Sequence, residues 1–387
     1  MEALQISKES QLGTFIQSLV LDFYHKAPAY DKVRPQIKCD TKQWTVLAAF
    51  LMEREGIFQI ISLATGTKSI PRSAMNEEGY VLNDCHAEVL ARRSLLKYLI
   101  SEMAKSKQGE ISSIFAFGNG ILKLKDSIRF HLYISEPPCG DSSLLHQSDQ
   151  DQFSHWTGAK SVGEKASSKV VGITRTKCGR SDIREDQRSE SMSCSDKILK
   201  WNALGFQGAL LDRILQTPIY LTSITIESPY FMLDSNIEVL KRGLCSHHRL
   251  KDASKLIFVN EPILCLVQPR FLYGRYLKPD QISQPCGHSM TWSVDNSKVQ
   301  MIIGNFGVKQ GANVKNKKLL KNFRSDICDH EFFKAVQQFA GDEGKTYFEA
   351  KALAKEYQHK KQILQEILVG GWTDKEFKAK YQQFKLE

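Results

Sequence analysis

Three short segments, far apart in the chain, constrain its fold more than any other feature. They are Asn83-Asp84-Cys85-His86-Ala87-Glu88, Pro137-Pro138-Cys139-Gly140 and Ser193-Cys194-Ser195-Asp196-Lys197. Zinc in a hydrolytic site takes three protein ligands and keeps a fourth position open for water. His86, Cys139 and Cys194 offer one imidazole and two thiolates. Any fold that uses them together must bring all three segments to one point. Glu88 lies two residues from His86, at the start of the same expected helix. It can reach a water without being a ligand, take its proton and return that proton to a leaving group.

The general zinc-deaminase signature is H-x-E followed by P-C-x-x-C. The chain matches the first half; after Cys139 come Gly140, Asp141 and Ser142, with no second cysteine. The third ligand must therefore come from farther along. Cys194 is preferred because it falls in the first turn of an expected helix capped by Ser193, where unpaired N–H groups and the helix dipole favour a thiolate. Cys85, Cys178 and Cys245 are the competitors. A second Pro-Cys-Gly at 285–287, followed by His288, is read as a decoy. Gly140 leaves space beside the metal, and Pro138 stiffens the approach to it.

Around these segments the pattern is that of an α/β layered domain. Residues 12–25 read as an amphipathic helix. Thr45–Met52 and Ile57–Ala64 read as a hairpin with Gly56 in its turn. His86 to about Met103 and Ser193–Leu215 read as helices; Arg129–Ser135, Val170–Thr174 and Pro218–Glu227 read as strands. The polar stretch 139–192 reads as long loops around the site. The whole chain, 1–387, is expected to form one domain, with a core over roughly 40–230 and a basic, largely helical extension over 231–387.

The formal net charge of +10 suits a polyanionic partner without naming it. Nine scattered cysteines make a poor disulfide framework and fit reduced thiols. No apolar run approaches a membrane span and the first residues carry no secretory signal, so an intracellular protein, in cytoplasm or nucleus, is expected.

A second signal is misplaced charge. The helix from His86 is apolar almost all round (Val89, Leu90, Leu95, Leu96, Leu99, Ile100), yet Arg92 and Arg93 fall among those positions. Near the C-terminus, Ala350, Ala354, Leu364 and Leu368 mark an apolar helix face that Tyr347 and Tyr357 share. Lys361 falls within that face and Lys351 at its edge. Such cations either snorkel to water or share a buried anion, because isolated buried charges are expensive.

At these residues the sequence resembles the RNA adenosine deaminase superfamily, which contains the tRNA-specific adenosine deaminase 1 family and the adenosine deaminases acting on RNA. The resemblance runs from about Val46 to Trp372. It is most specific at Thr65-Gly66-Thr67-Lys68, Leu82–Glu88, Pro138-Cys139-Gly140-Asp141, Met192–Lys197 and Lys355-Glu356-Tyr357. It implies a cytidine-deaminase-like three-layer α/β/α core with a mixed sheet, and a helical C-terminal part enclosing a buried inositol phosphate. It selects Cys194 as third ligand and Glu88 as proton shuttle, and it puts Thr67 and Lys68 on the flipped-out nucleotide. It also implies bound inositol hexakisphosphate, held by Asn83, Arg92, Arg93, Lys197, Lys200, Trp201, Lys321, Tyr347, Lys351, Tyr357, Lys361, Trp372 and Lys375. Asp84 and Lys197 would then relay between metal and phosphate.

Two features favour the tRNA branch. Arg175–Asp182 resembles that branch's Lys-Pro-Gly-Arg-Gly-Asp segment, with Cys178 and Ser181 as departures. No double-stranded-RNA-binding domain is expected before the deaminase pattern. The implied substrate is alanine tRNA, at the adenosine just 3′ of the anticodon (position 37). Rival readings are editing of duplex or messenger RNA, a free nucleoside or cytosine deaminase, and a non-catalytic RNA-binding protein on the same fold.

Overall fold

The computed structural model describes residues 8–26, 43–118, 120–146, 159–162, 170–177, 184–246, 249–250, 257–277, 284–313, 317–373 and 380–386. Its centre is an eight-stranded mixed sheet. In chain order the strands are β1 (Leu47–Arg54), β2 (Ile57–Thr65), β3 (Ile128–Ile134), β4 (Ser223–Glu227), β5 (Ile263–Val267), β6 (His288–Ser293), β7 (Gln300–Ile303) and β8 (Val308–Lys309). Their order across the sheet is β5-β4-β3-β1-β2-β6-β7-β8. β4 runs parallel to β3 and β5, and the remaining pairs are antiparallel.

β1 shows why the sheet is covered on both faces. Ala48, Phe50 and Met52 enter one core cluster, and Leu47, Ala49 and Leu51 enter another. With side chains alternating at period two, a strand apolar at six successive positions, Leu47 to Met52, must be buried on both sides there. Helix α1 (Lys8–Lys26) covers one face through Ile16, Val20, Leu21 and Tyr24. Helices α2 (Ala87–Lys107), α3 (Cys194–Leu204), α4 (Ala209–Asp212) and α5 (Ser235–Leu244) contribute to the cluster on the other. The layering is the expected α/β/α. The hairpin also forms as expected, with Glu55 and Gly56 both at positive φ (52° and 80°), the geometry of a tight two-residue turn.

Four expectations need correction. The helix expected over Ser193–Leu215 is two, because the backbone at Gly205 and Gly208 takes positive φ and leaves the helical path between α3 and α4. Residues 170–174 form no strand: Val170 and Val171 are exposed, and pairing begins only at Arg175–Lys177, antiparallel to Ala159–Ser161. Apolar β-branched residues do not make a strand without a neighbour to pair with. The strand expected from Pro218 begins at Ser223. The region beyond 231 is not helical throughout: its helices are concentrated from Asp329 onward, and before that it supplies β5 to β8 to the central sheet.

The C-terminal helices α6 (Asp329–Ala340), α7 (Tyr347–Ala352) and α8 (Lys355–Ile367) lean on the α2 side of the core. α7 starts on a capping box, Thr346 with Glu349. It is separated from α8 because Ala354 leaves helical geometry (ψ 65°). Among the described residues no helix is long and apolar enough to cross a membrane.

Candidate active site

The site forms where the chain enters α2 and α3. A short strand, Asp84–His86, pairs antiparallel with Thr67–Ser69, putting Thr67 opposite His86 and Lys68 opposite Cys85. His86 is the residue before the first turn of α2, and Glu88 lies inside that turn. The imidazole Nδ1 faces Asp84 Oδ1 at 2.8 Å and the Lys68 carbonyl at 3.1 Å. Two acceptors fix the proton on Nδ1 and leave Nε2 as the lone-pair donor. Burial and then Lys177 work against a charged His86, but Asp84 and Cys139 together outweigh them and hold the imidazole up at about 9, so a metal ion taken at Nε2 would displace a proton there.

β3 leads into Pro137, Pro138 and Cys139, and Ser193 caps α3 by accepting from the Asp196 N–H. The two cysteine turns lie against each other. The Cys194 N–H donates to Cys139 Sγ at 3.4 Å, and the Ser195 N–H donates to the Cys139 carbonyl at 3.0 Å. Gly140 permits this approach: at its φ of 108°, a Cβ would stand 2.6 Å from the Ser193 Cβ. A hydrogen bond from Cys194 draws Cys139 well below the ordinary thiol range, while burial pushes Cys194 well above it. His86 and Cys139 are close enough to interact electrostatically.

These contacts are pairwise; among the described residues no three His, Cys, Asp or Glu side chains stand in a finished ligand cluster. The donor chemistry nevertheless fits zinc, which takes thiolate sulfur and imidazole nitrogen together. A second observation agrees. Glu88 is buried, burial pushes its carboxyl up, and its Oε2 has no hydrogen-bond partner among the described residues. A carboxylate oxygen in that position calls for a polar group that the protein itself does not supply.

The competing cysteines have other surroundings. Cys85 belongs to the α2-side core and donates to the Leu82 carbonyl at 3.9 Å. Cys245 is buried in the same cluster and pushed up to about 12. Cys178 lies outside the described residues. Cys286 packs in the α1-side core, but its carbonyl accepts from Thr67 Oγ1 at 3.3 Å, so this segment touches the site through its backbone.

Asp84 is the junction. Its Oδ2 accepts from Lys177 at 2.6 Å, from Ser191 Oγ at 3.0 Å and from Lys197. Burial would raise the Asp84 carboxyl, but Lys177 and Lys197 hold it well below the usual range. Lys177 was not singled out from the sequence. It is buried and also donates to Cys194 Sγ at 3.2 Å. Its place depends on the pairing of 175–177 with 159–161, which no local pattern announces.

Beyond Asp84 and Lys197 opens a cavity of about 710 Å³. Its wall includes Asn83, Arg92, Arg93, Lys197, Lys200, Trp201, Tyr347, Lys351, Tyr357, Lys361 and Trp372. Arg92, from α2, donates to the Phe206 carbonyl and lies 5.3 Å from the Trp201 ring; Arg93 pairs with Asp329 at 2.7 Å. Lys200 stands over Trp372, and Lys351 over Tyr347. Asp84, Glu190 and Asp329 are the carboxylates of this wall, against those cations and Arg72. Lys321 does not join them: it is exposed, in the turn Lys317–Phe323. Lys375 lies outside the described residues.

The adenosine-deaminase (editase) domain family matches residues 62–376, which takes in all three segments and most of the cavity wall. The chain belongs to this family. It is similar to the tRNA-specific adenosine deaminase 1 of Drosophila melanogaster, 28% identical over 87% of this chain and 90% of that protein. It is similar to the Schizosaccharomyces pombe protein of the same name, 27% identical over 95% of this chain and 96% of that one. It is also 30% identical to the mouse double-stranded RNA-specific adenosine deaminase over 85% of this chain, but spans only 30% of that protein's length. In the editase domain described here, Glu88 and the His86–Cys139–Cys194 group lie at the N-terminal ends of α2 and α3, with the cationic cavity behind them.

Proposed function

We propose that this chain hydrolyses adenosine to inosine in tRNA, at position 37 of alanine tRNA, releasing ammonia. The observation that carries the proposal is Glu88: a buried carboxylate, unpartnered at Oε2, two residues from His86 in the first turn of α2. His86, Cys139 and Cys194 would hold one zinc ion, whose Lewis acidity makes a water nucleophilic near neutral pH. Glu88 would take a proton from the attacking water as the oxygen of that water adds to C6 of the base. It then delivers the proton to the departing amino group. Water is consumed, the C6–N bond breaks, and ammonia leaves. Burial, by raising the Glu88 carboxyl, suits it to carry a proton in both directions.

Thr67 and Lys68, paired with the His86 strand, would hold the nucleotide once it has left its stack. The net charge of +10 would gather the anticodon arm through its phosphates. The cavity would hold inositol hexakisphosphate, a ligand whose negative charge is opposite in sign to the excess of cations on its wall. Asp84 and Lys197 would join that ligand to the site. Such a substrate places the protein inside the cell, in cytoplasm or nucleus.

Purified protein incubated with unmodified alanine tRNA and, separately, with a generic RNA duplex decides the substrate. Inosine mapped only beside the anticodon supports the proposal; inosine in the duplex alone moves the chain to duplex editing.

A further inference from the structure

Each cysteine of the site is followed two positions later by an aspartate, and both aspartates are gripped by arginines of one short segment. Asp141, after Cys139, accepts from Arg242 Nε at 2.8 Å through Oδ2. Asp196, after Cys194, accepts from Arg249 through Oδ1. Both aspartates and Arg249 are almost fully buried. Arg242 lies in the last turn of α5, and Arg249 follows shortly after.

The remaining valences tie the same pieces. Asp196 Oδ2 accepts from the Arg175 N–H at 2.9 Å and from Ser193 Oγ at 2.5 Å, while Asp141 Oδ1 accepts from the Gly172 N–H at 2.6 Å. Arg249 also donates to the Gly243 carbonyl at 3.0 Å. Gly243 packs so close to the first turn that a Cβ there would stand 2.7 Å from the Ser142 nitrogen.

We infer that Arg242 and Arg249 are positioning residues that clamp the Cys139 and Cys194 turns at the separation a shared metal needs. The inference rests on the zinc reading above. Neither arginine is itself a ligand. Each holds its cysteine through an aspartate and the backbone between them. A clamp of this kind acts on ligand geometry, and groups that orient metal ligands typically change metal affinity about 10- to 100-fold when removed. Asp84 holds the His86 side of the site, and the strand Arg175–Lys177 joins it to the clamp, with the Arg175 N–H on Asp196 and Lys177 on both Asp84 and Cys194. The supports of all three ligands therefore meet in one network.

The test uses the full-length protein with Arg242→Gln, Arg249→Met and Arg249→Lys. Zinc affinity is read by chelator competition. Ligand geometry is read from the thiolate-to-metal and d–d absorption of the cobalt(II)-loaded protein. Circular dichroism and the content of bound inositol phosphate report the fold. The expected result is a native spectrum and inositol phosphate content, zinc affinity lowered about 10- to 100-fold in Arg242→Gln and Arg249→Met, altered cobalt bands, and partial rescue in Arg249→Lys. Unchanged zinc affinity and cobalt bands overturn the inference, even if the variants melt earlier. Should Arg249→Met fail to fold, Arg242→Gln decides alone, because that side chain is partly exposed. A wild-type protein that binds neither metal overturns the zinc reading, and the clamp falls with it.

Discussion

Lys177 and Asp84 meet at 2.6 Å in a setting where both side chains are almost completely buried. With Lys197 on the same carboxylate oxygen and His86 on the other, this pair couples the site to the cavity. Removing the carboxylate leaves Lys177 buried without its anion. Breaking a buried pair in this way typically costs about 3–5 kcal/mol. Asp84→Ala is therefore expected to lose that order of stability in denaturant titrations and to purify with little zinc. Asp84→Asn, which keeps an acceptor for His86, should retain more of both.

Gly140 is where the two cysteine turns touch. Its φ of 108° and the 2.6 Å approach to Ser193 leave no room for a methyl group. Gly140→Ala should cost about 1–3 kcal/mol in backbone strain alone, read as a lower unfolding midpoint. It should also part Cys139 from Cys194, read as lower zinc content at equal folded fraction.

The cavity should make stability depend on its ligand. Burial among other cations pulls Lys351 down to about 8 and Arg92 down to about 10. A wall of this kind is costly without an anion. Added inositol hexakisphosphate should raise the melting temperature with increasing concentration, as any ligand of the folded state does. Protein stripped of it should be less stable or fail to refold. Equal melting temperatures with and without the ligand would contradict this account of the cavity.

The same residue fixes a pH dependence. Lys351 in the ligand-free fold has its pKa depressed from 10.5 to about 8, so between those values the unfolded chain binds more protons than the folded one. Stability then rises with pH across the window from about 8 to 10.5. A bound polyanion favours charged Lys351 and opposes that trend. Binding of inositol hexakisphosphate near pH 9 should take up protons, which calorimetry in buffers of different ionisation enthalpy measures directly.

Much of this arrangement was legible in the sequence. His-x-Glu at a helix start, Ser193 as a cap and a glycine beside Cys139 each carry a local physical reason, and each lies where that reason puts it. Arg92, Arg93, Lys351 and Lys361 stood out because charge on an apolar face has few stable explanations, and all four line the cavity. What escaped depends on long-range pairing. Lys177 reaches Asp84 only through a three-residue strand, and Arg249 reaches Asp196 across 53 positions of the chain. The break between α7 and α8 carries no glycine or proline to mark it. Lys321 sits in a basic run, Lys317-Lys318-Leu319-Leu320-Lys321, where composition alone does not separate a wall residue from a solvated one.

The most direct measurement follows oxygen from water into the product. Alanine tRNA would be incubated in ¹⁸O-labelled water with the wild-type protein and with Glu88→Gln, and the nucleosides analysed by mass spectrometry. The account predicts inosine carrying one heavy oxygen at C6 with the wild type, and inosine formation reduced by about 10²–10⁴-fold or more with Glu88→Gln. Inosine formed at a similar rate by both proteins, or inosine without the label, would contradict it.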